Sequence, residues 1–132
     1  MEIYQSKNVT LSYDDETGIL THTWHEYSPS KEYQECLEKS FEMMCKHHAK
    51  KWIFDQKKVK VISPQDQKWV VEVWTPKVIR KLGRGIKSAV ILGENIFGEV
   101  SIKNLVDATT HQVETKFFED IETAQKWLLE ES

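Results

Sequence analysis

The chain has 132 residues, which fits one domain over residues 1–132 and allows about two thirds of the surface of the unfolded chain to be buried. Its formal net charge of -3 argues against nucleic acid as the main partner, because nucleic-acid-binding domains usually carry a basic excess. The amino-terminal segment lacks the features of a signal peptide, no apolar run is long enough to span a membrane, and two cysteines do not make a disulfide framework. These properties predict a cytoplasmic protein with no membrane partner.

The first predicted element is a β-hairpin over residues 9–25. Apolar and polar residues alternate over residues 9–13 and again over residues 19–24, which is the period of a half-buried strand. The sequence DDETG, residues 14–18, lies between these two segments and supplies turn residues. The pattern therefore predicts two antiparallel strands joined by a short loop.

A buried strand is predicted at WIFD, residues 52–55. The short apolar run is flanked by charged residues, which is typical of a strand inside an α/β sheet. Helices are predicted on either side of it, over residues 29–50 and 64–82, so the chain enters and leaves the strand through crossover connections. The loop after Asp55 is then expected at the carboxyl edge of the sheet, where open α/β sheets build their sites.

The helix over residues 64–82 carries its own start and stop signals. Ser63 is a good N-cap, and the proline that follows it fits the first helical position. Pro76 is expected to break or restart the helix, since it has no backbone N–H. Gly83 is expected to end it as a C-cap.

The last part of the chain alternates strands and helices. Strands are predicted over residues 88–92 and 113–118, a helix begins near Ile96, and Asp120 caps a closing helix. The order β-β-α-β-α-β-α-β-α predicts an α/β fold with a single mixed, mainly parallel sheet of about five strands. The sheet would start with an antiparallel hairpin, continue as βαβαβ, and carry about four helices.

The carboxyl-terminal sequence AVILGENIFGEV…TKFFEDIETAQKWL resembles the end of STAS-type domains. In that family a strand ending in phenylalanine leads to an acidic turn and an Ala-x-x-Trp-Leu helix, matched here by Ala124, Trp127 and Leu128. The WIFD strand resembles the central strand of the family, with Asp55 at its end. The order of elements agrees over residues 9–131, and the similarity is greatest to stand-alone bacterial proteins of SpoIIAA-like fold. The shared residues are mostly packing residues, so the resemblance bears on fold more than on function.

The resemblance implies a non-enzymatic regulatory or protein-interaction module that forms a homodimer. The usual phosphorylatable Ser or Thr is missing, because Gln56-Lys57-Lys58 follows Asp55. The phosphorylation switch of the family therefore does not carry over. Ser63 lies at a helix amino terminus, where a phosphate would be electrostatically favourable, but an N-cap role also accounts for it.

Two different functions are expected to use overlapping residues. A partner surface is predicted on the helix of Trp69, Val73 and Trp74, which has more apolar area than one buried stripe requires, although plain core packing also explains it. The alternative is a site for an apolar or anionic small molecule at the carboxyl edge, walled by the helix of residues 64–74, and an internal pocket would distinguish it. The candidate ligand- or partner-binding residues are Glu26, Asp55, Gln56, Lys57, Ser63, Trp69, Val73, Trp74 and Asn95.

An enzyme ranks third, with His25, Glu26 and Asp55 as conceivable acid and base groups. The sequence does not predict a catalytic residue, a metal site or a cofactor, since the neighbouring His47 and His48 would point about 100° apart on a helix. Lysines and arginines concentrate over residues 57–60 and 77–87. This basic cluster is expected to attract an anionic ligand or an acidic surface if both parts meet, and otherwise to be a solvated face.

Overall fold

Six strands form one mixed sheet in which the spatial order of the strands follows the chain. The computed structural model describes residues 1–25, 30–58, 62–93, 96–109 and 113–130. The first three strands pair with one another in antiparallel fashion, and the third to sixth strands are mutually parallel. The strands are β1 (Glu2–Gln5), β2 (Val9–Asp14), β3 (Ile19–Trp24), β4 (Lys51–Asp55), β5 (Lys87–Ile91) and β6 (Glu114–Phe118).

Helices connect the parallel strands and close the chain. Between β4 and β5, α2, a π-helical turn and α3 follow one another without a break. The prediction of a mixed, mainly parallel α/β sheet is confirmed, with six strands instead of five. The helical elements are α1 (Ser30–His47), α2 (Pro64–Trp69), the π turn (Val70–Trp74), α3 (Thr75–Leu82), α4 (Ile96–Thr109) and α5 (Ile121–Leu129).

The crossover helices share one face of the sheet. Sequential strand order combined with right-handed crossovers places successive crossover helices on the same side. The larger hydrophobic core lies there, between the sheet and α1, the α2–α3 segment and α4. Helix α5 covers part of the opposite face, where Ala124 and Leu128 pack against Ile53 and Ile91. A cavity on the first face is consequently bordered by helices from three connections.

The strand β1 was not predicted from the sequence. Its outward residues include Ile3, which is exposed, whereas its inward residue Glu2 is only half buried. Glu2 accepts from His47 at 2.6 Å and lies 3.1 Å from Lys46 Nζ at the end of α1. Because a carboxylate occupies an inward position, the apolar alternation that marks a half-buried strand is missing.

The predicted restart at Pro76 is confirmed, since α3 begins at Thr75 with Pro76 in its first turn, and the chain stays helical throughout residues 64–82. Since Pro76 has no N–H and its ring crowds the carbonyl four residues earlier, an undisturbed α-helix would be strained at this point. The π turn precedes it, and the N–H of Thr75 bonds to the carbonyl of Val70, five residues earlier. The wider turn lets the helix continue to Gly83, whose N–H bonds to the Ile79 carbonyl as the predicted C-cap.

The predicted helix starts are confirmed at two caps. Ser63 Oγ accepts from the Asp66 N–H at 3.1 Å, and Asp120 Oδ1 accepts from the Thr123 N–H at 2.8 Å. Each cap satisfies a backbone donor that has no partner inside its helix. The N-cap role alone therefore accounts for Ser63.

Gly93 follows β5 and lies against the backbone just beyond β4. A Cβ on Gly93 would lie 2.2 Å from the carbonyl O of Lys57 and 2.8 Å from its Cα. Both are main-chain atoms, so relief requires a shift of the loop. We expect Gly93→Ala to lower the free energy of unfolding by about 1–3 kcal/mol, the usual cost of overpacking, in urea titrations. An unchanged unfolding midpoint would contradict this close approach.

Candidate functional site

A partly open cavity of about 80 Å³ lies between the sheet and its crossover helices. Its walls come from the inward faces of β3 to β6, from α1, from the α2–α3 segment and from α4. All of its lining side chains among the described residues are uncharged. The aromatic part of the lining consists of Trp24, Tyr33, Trp52, Phe54 and Trp74.

The aromatic walls are held by ring contacts and hydrogen bonds. The rings of Trp52 and Trp74 lie 6.0 Å apart, and Trp24 stacks on Tyr33 at 5.3 Å. Trp74 Nε1 donates to the Leu37 carbonyl at 2.9 Å, and Trp52 also donates to a backbone carbonyl. Such bonds fix the ring orientations, so a ligand would meet preformed walls.

Three polar side chains line the cavity without a hydrogen-bond partner in the part of the chain that is described. They are Gln56 after β4, Thr75 at the start of α3 and Ser88 on β5, each more than nine-tenths buried. Two other hydroxyls in the lining have acceptors. Thr109 donates to the Leu105 carbonyl, and Thr115 donates to the carbonyl of Val113, just before β6. The cavity thus combines apolar walls with a few free polar groups, as small-molecule sites do.

Two further buried polar groups lack partners within the described ranges. Trp24 Nε1 has no acceptor, and neither carboxylate oxygen of Asp66 has a donor. Trp24 lines the cavity, whereas Asp66 lies outside its lining, in the first turn of α2. Unpaired buried polar groups are rare in native proteins. Of these two, only Trp24 Nε1 belongs to a residue that lines the cavity.

The predicted residues at the end of β4 are divided between the two faces of the sheet. Gln56 reaches the cavity, whereas Asp55 points to the opposite face, because successive side chains of an extended chain alternate. Asp55 accepts from the Lys57 N–H at 3.2 Å. The Thr123 N–H and hydroxyl hold the pKa of Asp120 below its usual value, and Lys57 contributes to this shift, which places Lys57 on the side of α5. Of these neighbours, Gln56 alone belongs to the cavity.

The predicted partner surface is divided in a similar way. Trp74 is 4% exposed and lines the cavity, so it is not available to a partner in this structure. Val73 is 49% exposed, and with the half-buried Trp69 it lines an open groove between α1 and the α2–α3 segment. The remaining candidates, Glu26 and Asn95, lie outside the described residues.

The basic cluster does not gather on one side of the sheet. Lys57 follows the carboxyl end of β4, whereas Arg84 and Lys87 lie at the amino end of β5. Arg84 is tied to that edge, because its carbonyl accepts from Lys50 at 2.9 Å. A crossover between parallel strands returns the chain to the opposite edge, so Lys57 is separated from Arg84 and Lys87 by the length of the strands, while Lys60 lies outside the described residues.

His22 is not part of the cavity lining, but it packs against Phe54, which is. Its Nδ1 lies 3.0 Å from the Ile53 carbonyl and donates to it, and its Nε2 then accepts from the Ser40 hydroxyl at 2.5 Å. The ring stacks on Phe54 at 4.1 Å. Burial lowers the pKa of His22 to about 4, because the imidazolium would lose its hydration, although the Ile53 carbonyl favours the charged form. His22 is therefore neutral at physiological pH.

The two described acid–base candidates, His25 and Asp55, are not paired with each other, and Glu26 lies outside the described residues. His25 Nε2 lies 2.7 Å from Thr10 Oγ1, while the charged partner of Asp55 is Lys57 at 3.8 Å. Burial raises the pKa of the Cys36 thiol, which disfavours a nucleophilic thiolate. Within the described residues, His, Cys, Asp and Glu form no group of three that could hold a metal ion.

Sequence reasoning missed Thr75 and Ser88. A signal was present, since each is a lone polar residue next to apolar ones, in the segments VWTP and SAVIL. A single hydroxyl in such a segment is common in ordinary cores. Only the fold shows that the two residues face one cavity.

None of the described helices is both long enough and apolar enough to cross a membrane. No protein-family model matches this sequence, and no curated protein matches it. The geometry and chemistry of the cavity are therefore the basis for assigning a function.

Proposed function

We propose that this protein is a non-enzymatic binding domain that holds a small, largely apolar molecule in its partly open cavity. The observation that carries the proposal is the cavity itself, with uncharged aromatic walls and unpaired polar groups. Protein interiors are normally packed to the density of organic crystals, and a gap lined by free polar groups is costly unless something fills it. Binding of a molecule that fills the gap would offset this cost.

The size of the cavity limits the ligand. Its volume is about 80 Å³. An engineered cavity that admits benzene measures roughly 150 Å³. The buried part of the ligand is therefore restricted to a few non-hydrogen atoms unless side chains move. The absence of charged side chains from the described lining disfavours an anion, because a buried charge without a partner is strongly destabilised.

We also propose that the domain is of the SpoIIAA-like STAS type and acts as a regulatory module. One mixed sheet that begins with antiparallel strands and continues as parallel strands joined by helices supports this proposal. In such a module, binding of a ligand in the cavity would be the signal to which the domain responds.

Self-association is the second candidate function, and the groove that contains Trp69 and Val73 favours it. Its rim carries both signs of charge, with Lys39 near Glu42 at 3.3 Å and Lys77 bonded to Glu38 at 2.7 Å. In a twofold dimer each surface patch contacts the same patch of the other copy. A rim with both signs of charge can then place the lysines of one copy against the glutamates of the other. A second copy of this chain is therefore the proposed occupant of the groove.

Native mass spectrometry of the purified protein, repeated after denaturation, tests both functions. Ligand binding predicts an extra mass that disappears on denaturation, and self-association predicts a dimer. Val90→Phe, which fills the cavity, is expected to lose the extra mass. Val100→Phe is the control, because Val100 is 54% exposed on α4. A wild-type mass equal to that of the chain or of two chains, together with no uptake of xenon, a probe of apolar cavities, would contradict ligand binding.

A further inference from the structure

The polar lining of the cavity indicates the chemical class of its ligand. Gln56, Thr75 and Ser88 come from three different elements and face one cavity. Their side chains supply an amide and two hydroxyls, all of which can donate a hydrogen bond. Because no partner is found for them in the described part of the chain, their donors are free to bind a ligand atom.

The π turn contributes to this arrangement. A helical threonine commonly bonds its hydroxyl to the carbonyl four residues earlier, as Thr109 does with Leu105 in α4. Thr75 follows the π turn directly, and within the described residues its hydroxyl has no such bond. The hydroxyl lines the cavity, and π turns recur at functional sites.

Resting on the proposed function, we propose that the ligand is a neutral molecule with an apolar body and one hydrogen-bond-accepting oxygen, such as a ketone or an alcohol. The oxygen has two lone pairs, which accept from Thr75 and Ser88, and the body lies against the aromatic walls. Gln56 follows Asp55, which pairs with Ile91, so it lies about 13 Å along the strands from Ser88 and does not share this oxygen. A pure hydrocarbon would leave both hydroxyls unpaired. A carboxylate would bring a charge into a lining that has no cation among its described residues.

Acetone and isobutene form a matched pair of probes, since they differ only in an oxygen in place of a methylene group. Binding is followed by methyl NMR at Ile102 and Val106, which line the cavity. One neutral hydrogen bond corresponds to a roughly two- to tenfold change in affinity. Thr75→Val and Ser88→Ala are each expected to weaken acetone binding by this factor, and to leave isobutene binding unchanged within about twofold.

The matched control is Thr109→Val. Thr109 lines the same cavity, but its hydroxyl is already bonded to backbone carbonyls. This variant is expected to change acetone and isobutene affinity by the same factor, because it removes no free hydrogen-bond donor. Thr75→Ser, which retains the hydroxyl, is expected to keep most of the acetone affinity.

Thermal unfolding of the ligand-free variants provides a second readout. Removing an unpaired buried hydroxyl without changing side-chain shape is neutral or stabilising, whereas removing a bonded one is destabilising. Thr75→Val is therefore expected to raise or preserve Tm, and Thr109→Val to lower it by a few degrees. A structural role for Thr75 predicts a lower Tm with Thr75→Val and no selective effect on acetone.

The possible outcomes separate the inference from the proposed function. Selective weakening of acetone by Thr75→Val and Ser88→Ala supports the inference. Equal effects on both probes, or none, with isobutene still bound, would overturn it and leave the binding function intact. If neither probe produces saturable shifts in the wild-type protein, the cavity holds only water and the proposed function fails as well.

Discussion

A Trp74→Ala variant is expected to lose about 3–5 kcal/mol of unfolding free energy, the range for truncation of a buried aromatic residue. Trp74 is 4% exposed, its ring packs against Trp52, and its Nε1 donates to the Leu37 carbonyl. The substitution removes the ring and leaves that carbonyl without its donor, which adds to the cost of the enlarged cavity. Urea unfolding followed by circular dichroism measures the change.

The neighbouring Val73→Ala variant is the control. Val73 is 49% exposed, so its truncation is expected to change the free energy of unfolding by less than about 0.5 kcal/mol. Comparable small effects at both positions would show that residue 74 is not part of the core. The pair also matters for tests of self-association. A loss of dimer in Trp74→Ala would reflect a loss of folding, because Trp74 is buried and not part of an exposed contact surface. Val73 and Trp69 are the positions that test the groove.

The second large effect is a loss of stability in mild acid caused by His22. Its pKa is about 4 in the folded protein and 6.5 in the unfolded chain. Between these values the unfolded chain binds a proton that the folded protein does not, so stability falls as the pH decreases from 6.5 to 4. The shift corresponds to about 3 kcal/mol, since one pKa unit is worth about 1.4 kcal/mol.

The pH profile of a His22→Asn variant isolates this contribution. An Asn side chain can still donate to the Ile53 carbonyl, but it does not titrate. The variant retains every other ionisable group, including Glu2 and Asp120, whose lowered pKa values also make stability fall in acid. We expect the slope of stability against pH between 6.5 and 5 to be steeper in the wild type. Parallel profiles would contradict a neutral, buried His22.

Some strands and helix caps of this fold could be predicted from the sequence, and others could not. The WIFD strand, the amino-terminal hairpin and the caps at Ser63 and Asp120 were predicted correctly, because each depends on residues close together in the chain. The strand β1 was missed because its inward residue, Glu2, is stabilised by partners at the end of α1. A local sequence pattern cannot indicate that Glu2 will contact Lys46 and His47, which are distant in the sequence.

The continuity of the middle helix shows a similar limit. Pro76 disfavours an uninterrupted α-helix locally, and the sequence predicted that it breaks or restarts the helix without showing which. Packing of Val70, Trp74 and Val78 into the core holds the segment as one helix, with a π turn absorbing the proline. Tertiary burial outweighed local propensity at this position.

For the candidate site, the sequence placed Gln56 at a site edge and anticipated an internal pocket for the small-molecule alternative. It also gave the helix of residues 64–74, which includes Trp74, as the wall of that pocket, but it could not show that Lys57 lies on the other face or that Thr75 and Ser88 line the cavity. The order of elements and the helix caps were determined by the sequence itself, since periodicity and capping act over a few residues. The cavity, its unpaired hydroxyls and the neutral His22 were decided by the tertiary structure, because burial and hydrogen bonding depend on which distant segments come together.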